Sequence, residues 1–230
     1  MFENFDFDVI ARSWQALIFQ GLAFTIKVTL LAMVGGIILG TLLAMMRLSS
    51  FKPLAWIAAT YVNLLRSIPL VLVIFWFYFL VPYIGAWIIG SPRPIQVGAF
   101  MSALVTFIMF EACYYCEIMR AGIKSIPSGQ ANAGYALGLN YWQMMGTVIL
   151  PQAFRNMTPV LLTQTIVLFQ DVSLVYIISL PDFVTIASKV AQRDGRLIEM
   201  YIFVAVVYLA ICLLLSYCVK RLQARFTIAR

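Results

Sequence analysis

The sequence contains no histidine. That removes the commonest zinc ligand and the side chain most often used as a general base near neutral pH. Acids are also scarce: 9 Asp and Glu against 16 Lys and Arg, and only 11% of residues are charged. No Gly-x4-Gly-Lys-Ser/Thr phosphate loop is present, so any ATP hydrolysis linked to this chain belongs to another polypeptide. The N-terminal segment lacks the basic start and small-residue cleavage site of a signal peptide and carries Glu3, Asp6 and Asp8 instead. There is no internal repeat, low-complexity tract or linker, and a single membrane domain over residues 1–230 is the expectation.

Four cysteines, Cys113, Cys116, Cys212 and Cys218, all fall within or at the ends of apolar runs. Cys113-Tyr-Tyr-Cys116 has redox-motif spacing. In hydrocarbon, however, a thiol stays protonated and packs as a small hydrophobe, and packing is the reading adopted.

What the chain has in abundance is hydrophobic residues, 63% of the total, with a mean hydropathy of +0.95. Several runs reach the ~20 apolar residues that cross ~30 Å of hydrocarbon. Five spans are read, at about 22–46, 54–81, 97–119, 159–180 and 198–219. The second contains Ser67-Ile-Pro69, where a kink or break is expected. The net charge of +7 sits at segment ends, which argues for the positive-inside rule and against nucleic acid. Arg47 and Lys52 follow the first span, Arg120, Lys124 and Arg155 lie between the third and fourth, and Lys220, Arg221, Arg225 and Arg230 follow the fifth. The opposite segments hold Arg12, Arg93, Lys189, Arg193 and Arg196, diluted by acids. The N-terminus is therefore expected outside and the C-terminus inside.

The connector between the third and fourth spans, residues 120–155, is far longer than two membrane helices need. It has its own helix grammar. Pro127-Ser128 starts a helix with Ser128 as cap, and Ala131, Ala133 and Ala136 favour it. Gly138 ends it. Asn140 with Gln143 makes a capping-box pattern for a second helix, which Pro151 stops. Two short helices at an angle would form a compact projection for a soluble partner. The competing reading is an amphipathic helix lying on the bilayer.

Ionisable residues within spans cost at least ~2.5–3.5 kcal/mol each at a helix centre and so face protein or water. Lys27 can snorkel to the interface. Glu111 is deep in the third span, while Glu117 and Arg120 are one helical turn apart near its end. Counting from Leu54 and from Pro159 at ~1.5 Å per residue puts Arg66 and Asp171 each ~18 Å deep. At that depth they form either a buried ion pair or part of a translocation path. An arginine fork suits a carboxylate, and a break at Pro69 would free backbone groups to face a cavity.

The connector resembles the hallmark loop of permease subunits of ABC importers: Glu-Ala-Ala, three residues, Gly, nine residues, Ile-x-Leu-Pro. Here it stands as Asn132-Ala133-Gly134, then Gly138, then Val148-Ile149-Leu150-Pro151, with every spacing kept. Asn132 replaces the glutamate, Gly134 the second alanine and Val148 the isoleucine. Further stretches resemble the polar amino acid branch of that family, the histidine/glutamine permease group: Tyr61-Val-Asn-Leu-Leu-Arg66-Ser-Ile-Pro69-Leu, Glu117-Ile-Met-Arg120-Ala-Gly122-Ile and Phe169-Gln170-Asp171-Val-Ser173-Leu174.

The resemblance implies an all-α membrane protein with the type I ABC importer permease fold. It implies a non-catalytic subunit of an inner-membrane importer of polar amino acids, with glutamate and aspartate favoured. Implied partners are two copies of an ABC ATPase, which bind ATP and magnesium, a second permease chain, a periplasmic amino acid binding protein and membrane lipid. This chain itself would hold no cofactor and no metal. The coupling residues would be Ser128, Gln130, Asn132, Ala133, Ala136, Leu137 and Gly138. Arg66, Ser67, Gln170, Asp171 and Ser173 would line the substrate path. The alternatives are an intramembrane enzyme using the dispersed carboxylates Glu111, Glu117 and Asp171, and a channel or structural subunit that works without ATP.

Overall fold

A computed structural model describes residues 5–226, with the side chains of Arg225 and Phe226 excepted; Glu3, Asn4 and Arg230 lie outside the described residues. Every regular element among the described residues is helical. Helix α1 (Asp8–Gln15) runs through a π-helical segment, Ala16–Leu22, into α2 (Ala23–Leu48). Helix α3 (Lys52–Arg66) is followed by α4 (Leu70–Phe75), a π segment at Trp76–Leu80 and α5 (Val81–Ile88). Then come α6 (Ala99–Lys124), α7 (Ser128–Ala136) and α8 (Tyr141–Met144). A third π segment, Met145–Ile149, leads into α9 (Leu150–Asp171) and a 3₁₀ helix, Val172–Ile178. The last two are α10 (Phe183–Asp194) and α11 (Leu197–Phe226). Among the described residues, five helical stretches are long and apolar enough to cross a bilayer: Asp8–Leu48, Leu70–Ile88, Ala99–Lys124, Tyr141–Ile178 and Leu197–Ala224.

The break expected at Ser67-Ile-Pro69 is present, and it moves the second span. Pro69 has an extended ψ of 133° and the chain restarts at Leu70. A residue before proline is pushed out of the α region, so α3 ends at Arg66, capped by Ser67. The span is Leu70–Ile88 rather than 54–81. The ~18 Å depth for Arg66 assumed one continuous span from Leu54. Arg66 instead closes a separate helix, and three residues separate it from the start of the span.

Two other prolines behave unlike the sequence reading. Pro151 does not stop a helix; the chain stays helical from Tyr141 through it. A helical proline removes the bond to the carbonyl four residues back and collides with it. For Pro151 that carbonyl belongs to Thr147, and for Pro82 to Tyr78. Both lie inside π segments, whose wider turn relieves the collision. Hydroxyls in the spans turn back onto carbonyls four residues earlier. Thr25 donates to Gly21 O, Thr41 to Ile37 O, Thr106 to Ser102 O and Thr163 to Pro159 O, which satisfies them without water.

The chain divides into two compact units. The first, Met1–Val34, Ile68–Ile108 and Ile166–Leu215, holds α10, a helix the sequence reading passed over. Its signals are plain in hindsight. Pro181 precedes the cap Asp182, and Gly195 stops the helix at φ +68°. The Asp182 side chain accepts from the backbone N–H of Val184 and Thr185 and from the Thr185 hydroxyl. Burial pushes its carboxyl above the ordinary value despite these bonds. The core of this unit joins Val9 and Leu17 to Phe183, Ile186, Ala187, Val190 and Ala191 of α10 and to Met200 and Val204 of α11. Gly21 permits the close approach: a Cβ there would meet Phe183 Cα at 2.9 Å.

The second unit, Gly35–Ser67, Met109–Thr165 and Ser216–Arg230, packs Leu43 and Ala44 of α2, Ala58 and Val62 of α3, Ala112, Cys113, Cys116 and Met119 of α6, and Met157 of α9. Both cysteines of the Cys-x-x-Cys pair are buried, free and part of this core.

Thr25 is the polar tie in the first unit. Its hydroxyl accepts from Phe183 N–H at 3.1 Å while donating to Gly21 O. Thr25→Val keeps the shape and orphans a buried donor, which costs about 1–3 kcal/mol. Thermal unfolding of the detergent-purified protein should show that loss, with Thr25→Ser close to wild type. Unchanged stability in Thr25→Val would show that the tie contributes nothing.

Candidate functional site

The projection built from α7 and α8 lies wholly in the second unit. Helix α7 starts at Ser128, but its cap position is Pro127 and makes no side-chain bond. Ser128 is therefore the first helical residue rather than the cap. Proline fixes φ near the value a helix entry needs, so the cap hydroxyl is dispensable there. Gly138 follows α7 at φ +80°, the left-handed conformation in which glycine ends a helix. The capping box of α8 is complete. Asn140 accepts from Gln143 N–H at 2.9 Å, and Gln143 accepts from Asn140 N–H at 3.0 Å.

The two helices meet at Gly134, the position that departs from the motif's second alanine. A Cβ there would lie 3.2 Å from Met144 Cγ, and Met144 is buried beneath it. The absence of a side chain lets α7 settle onto α8. The opposite side of α7 is open: Ser128, Gln130, Asn132, Ala133, Ala136, Leu137 and Gly138 are all exposed. Leu137 is 82% exposed and Trp142 80%, with Tyr135 and Tyr141 about half exposed. A compact polar projection tipped by large apolar and aromatic side chains is the composition of a protein-docking surface. The sequence reading included Leu137 but missed Tyr135, Tyr141 and Trp142.

The same unit also holds a charge cluster. Glu117 pairs with Arg120 one turn on, as expected, with Nε at 3.1 Å and Nη2 at 2.6 Å from Oε2. Its other oxygen, Oε1, takes a bond from Arg47 at the end of α2. Arg47 had been read only as a topology signal, because a partner 70 residues away leaves no local pattern.

Glu117 also lines a cleft of about 440 Å³ with Arg66, Ile118, Gly122, Ser125, Asn156 and Met157. Arg66 reaches it from α3, with its guanidinium 5.2 Å from the Tyr114 ring centroid, a cation–π distance. Ser67 is exposed and donates to Asn63 O. Deeper along α6, Glu111 is fully buried and receives Gln164 Nε2 at 3.1 and 3.4 Å.

The other residues expected on the substrate path belong to the first unit. Gln170 is exposed and its amide reaches Cys212 Sγ at 3.3 Å. Asp171 is half-buried and ends α9. Ser173 sits in the 3₁₀ helix that replaces the expected last turns of the span. The path residues thus divide as Arg66 and Ser67 in one unit and Gln170, Asp171 and Ser173 in the other. Among the described residues no group of three or more His, Cys, Asp or Glu is placed to hold a metal ion.

Comparison with known proteins bears directly on these features. Residues 36–228 match the family described as the binding-protein-dependent transport system inner membrane component. Over 223 residues the chain is 52% identical to the glutamate/aspartate import permease protein GltK of Escherichia coli O157:H7, covering 96% of this chain and 98% of that one. It is 33% identical over 208 residues to the arginine transport system permease protein ArtQ of Bacillus subtilis, covering 90% and 91%. Among solved structures, an amino acid ABC transporter crystallised with histidines superposes with a TM-score of 0.86 at 29% identity, over 96% of this chain and 99% of that chain. The matched region includes both the α7–α8 projection and the Glu117 cluster, and the chain belongs to the family of inner-membrane components of binding-protein-dependent transport systems.

Proposed function

We propose that this chain is the permease subunit of an ATP-driven importer of acidic amino acids, glutamate and aspartate. The observation that carries the reading is the near full-length, 52% identity to a glutamate/aspartate import permease. The α7–α8 projection keeps the spacing of the family's docking loop and supports the same reading. The chain is not an enzyme. Two ATPase subunits would bind ATP and magnesium and receive Ser128, Gln130, Asn132, Ala133, Ala136, Leu137 and Gly138. A second, related permease chain would complete the pathway, with a periplasmic binding protein delivering solute.

Its work would be alternating access. Closure of the ATPases pulls the projections together, and the helices attached to them rock. Arg66, Ser67, Gln170, Asp171 and Ser173 would line the route. The 3₁₀ segment at Val172–Ile178 and the break at Ser67-Ile-Pro69 bring non-α backbone to the two places where these residues sit. Irregular backbone at membrane depth is tolerated where it lines a cavity. The Lys/Arg excess at Arg47, Lys52, Arg120, Lys124, Arg155, Lys220 and Arg221 supports a cytoplasmic projection and C-terminus with a periplasmic N-terminus.

Placing an acid on the small open face of α7 tests the coupling role. Ala133→Asp should leave membrane insertion and complex assembly intact and reduce ATP-driven uptake at least tenfold, a loss of about 1.4 kcal/mol or more in coupling. Wild-type uptake in that variant would remove the docking assignment. Sidedness has its own check. With the four native cysteines replaced, Gln130→Cys and Arg93→Cys should label with membrane-impermeant maleimide from opposite sides. Labelling of both from one side would overturn the orientation.

A further inference from the structure

We infer that the cleft between α3, α6 and α9 is a subsite for the carboxylate of an amino acid, and that the Arg47–Glu117–Arg120 cluster sets its positive sign. The inference rests on the transport reading above and adds a location, a ligand group and a charge-setting device to it.

The cleft has the size of a small-molecule site: about 440 Å³, within the roughly 300–1,000 Å³ such sites occupy. Its walls are mostly apolar, from Ile118, Ala121, Met157 and Val160, with four polar side chains converging: Arg66, Glu117, Ser125 and Asn156. At first sight one arginine and one glutamate cancel. They do not, because Glu117 is already committed. Arg47 holds one carboxylate oxygen and Arg120 holds the other. Two cations on one anion leave that cluster with a net charge of +1, and its side chains are only 17–28% exposed. Arg66 adds a second positive charge. Among the described residues no carboxylate pairs with it, and its documented contact is the Tyr114 ring. The ring stacks on the guanidinium and leaves the edge N–H groups, the fork that grips a carboxylate, available to the cleft.

The neutral groups have defined polarity. Ser125 donates to Gly122 O at 2.7 Å, so it accepts from Asn156 Nδ2, which lies 2.9 Å away. That fixes the Asn156 amide and directs its carbonyl away from Ser125. An amino acid bound with its carboxylate on Arg66 would find in that carbonyl an acceptor for its ammonium group. Glu117, held by two arginines, does not compete with the ligand for Arg66.

The test uses the assembled complex in nanodiscs of phosphatidylcholine, without ATP or binding protein. Radiolabelled L-aspartate is titrated by equilibrium dialysis, and assembly of each variant is checked by gel filtration. Saturable binding is expected. Arg66→Gln should weaken it at least ~10-fold, and Arg66→Lys should weaken it less, because charge survives while the fork is lost. Glu117→Gln should tighten binding and Arg47→Gln should loosen it. Asn156→Ala, at an exposed residue, removes the ammonium acceptor and should loosen it as well, with assembly checked in the same way. Wild-type affinity in Arg66→Gln or in Asn156→Ala overturns the inference. So does weaker binding in an assembled Glu117→Gln, which would mean the cleft prefers the ammonium group. Abolition of aspartate binding by phosphatidylglycerol in the nanodisc would assign the cleft to a lipid headgroup and overturn it as well. Uptake by the same complex, with ATP and binding protein restored, separates the two claims. Normal aspartate uptake with unaltered binding in the variants sinks the subsite alone. Variant-sensitive binding without any aspartate uptake supports the subsite and counts against the transport reading.

Discussion

A backbone that enters hydrocarbon must satisfy its own hydrogen bonds, and the rest of this structure follows from that demand. Each unsatisfied N–H or C=O costs several kcal/mol where no water can reach. The chain answers with helices throughout and with threonine hydroxyls folded onto carbonyls one turn back. Against that background the departures stand out. They are the π segments, the break at Ser67-Ile-Pro69, the 3₁₀ helix at Val172–Ile178 and the left-handed Ser179 with φ +58°. Two π segments are explained by the prolines that follow them. The break has its own proline, Pro69, while the 3₁₀ helix has no such local cause; the residues proposed for the substrate route lie in or directly beside these two stretches.

The same demand governs charge. Several ionisable side chains near the spans have a defined neighbour: Lys27 lies over Phe100, Arg66 beside Tyr114, Glu111 against Gln164, and Glu117 between Arg47 and Arg120. For Lys27 and Arg66 the neighbour is an aromatic ring. A ring keeps a cation in place without cancelling its charge. A fully paired set would make a tighter but electrostatically inert bundle.

How much of this was legible in the sequence depended on the range of the interaction. Apolar runs gave the five spans, because ~20 hydrophobic residues have few other uses. The capping box of Asn140 and Gln143 and the Gly138 stop were readable because each is complete within four residues. Boundaries failed where tertiary packing overrode local signals: α6 carries Arg120 and Lys124 within the helix, and Pro151 is absorbed by a π turn. The depth of Arg66 failed because a hydrophobic count cannot tell one long span from a short helix, a break and a second helix. Helix α10 was passed over because seven of its twelve residues are buried by α1, the first π segment and α11, none of which its own sequence names. The Arg47–Glu117 contact was invisible for the same reason, with 70 residues between partners.

The central claim is that this chain forms the membrane route of an importer powered by a separate ATPase. The most direct measurement is uptake of radiolabelled glutamate into proteoliposomes containing this chain with its partner permease and ATPase, with the binding protein and ATP supplied on their respective sides. The account predicts uptake that requires all components, stops with a non-hydrolysable ATP analogue and is competed by aspartate but not by lysine. Glutamate flux through the permease chains alone, indifferent to ATP, would contradict it.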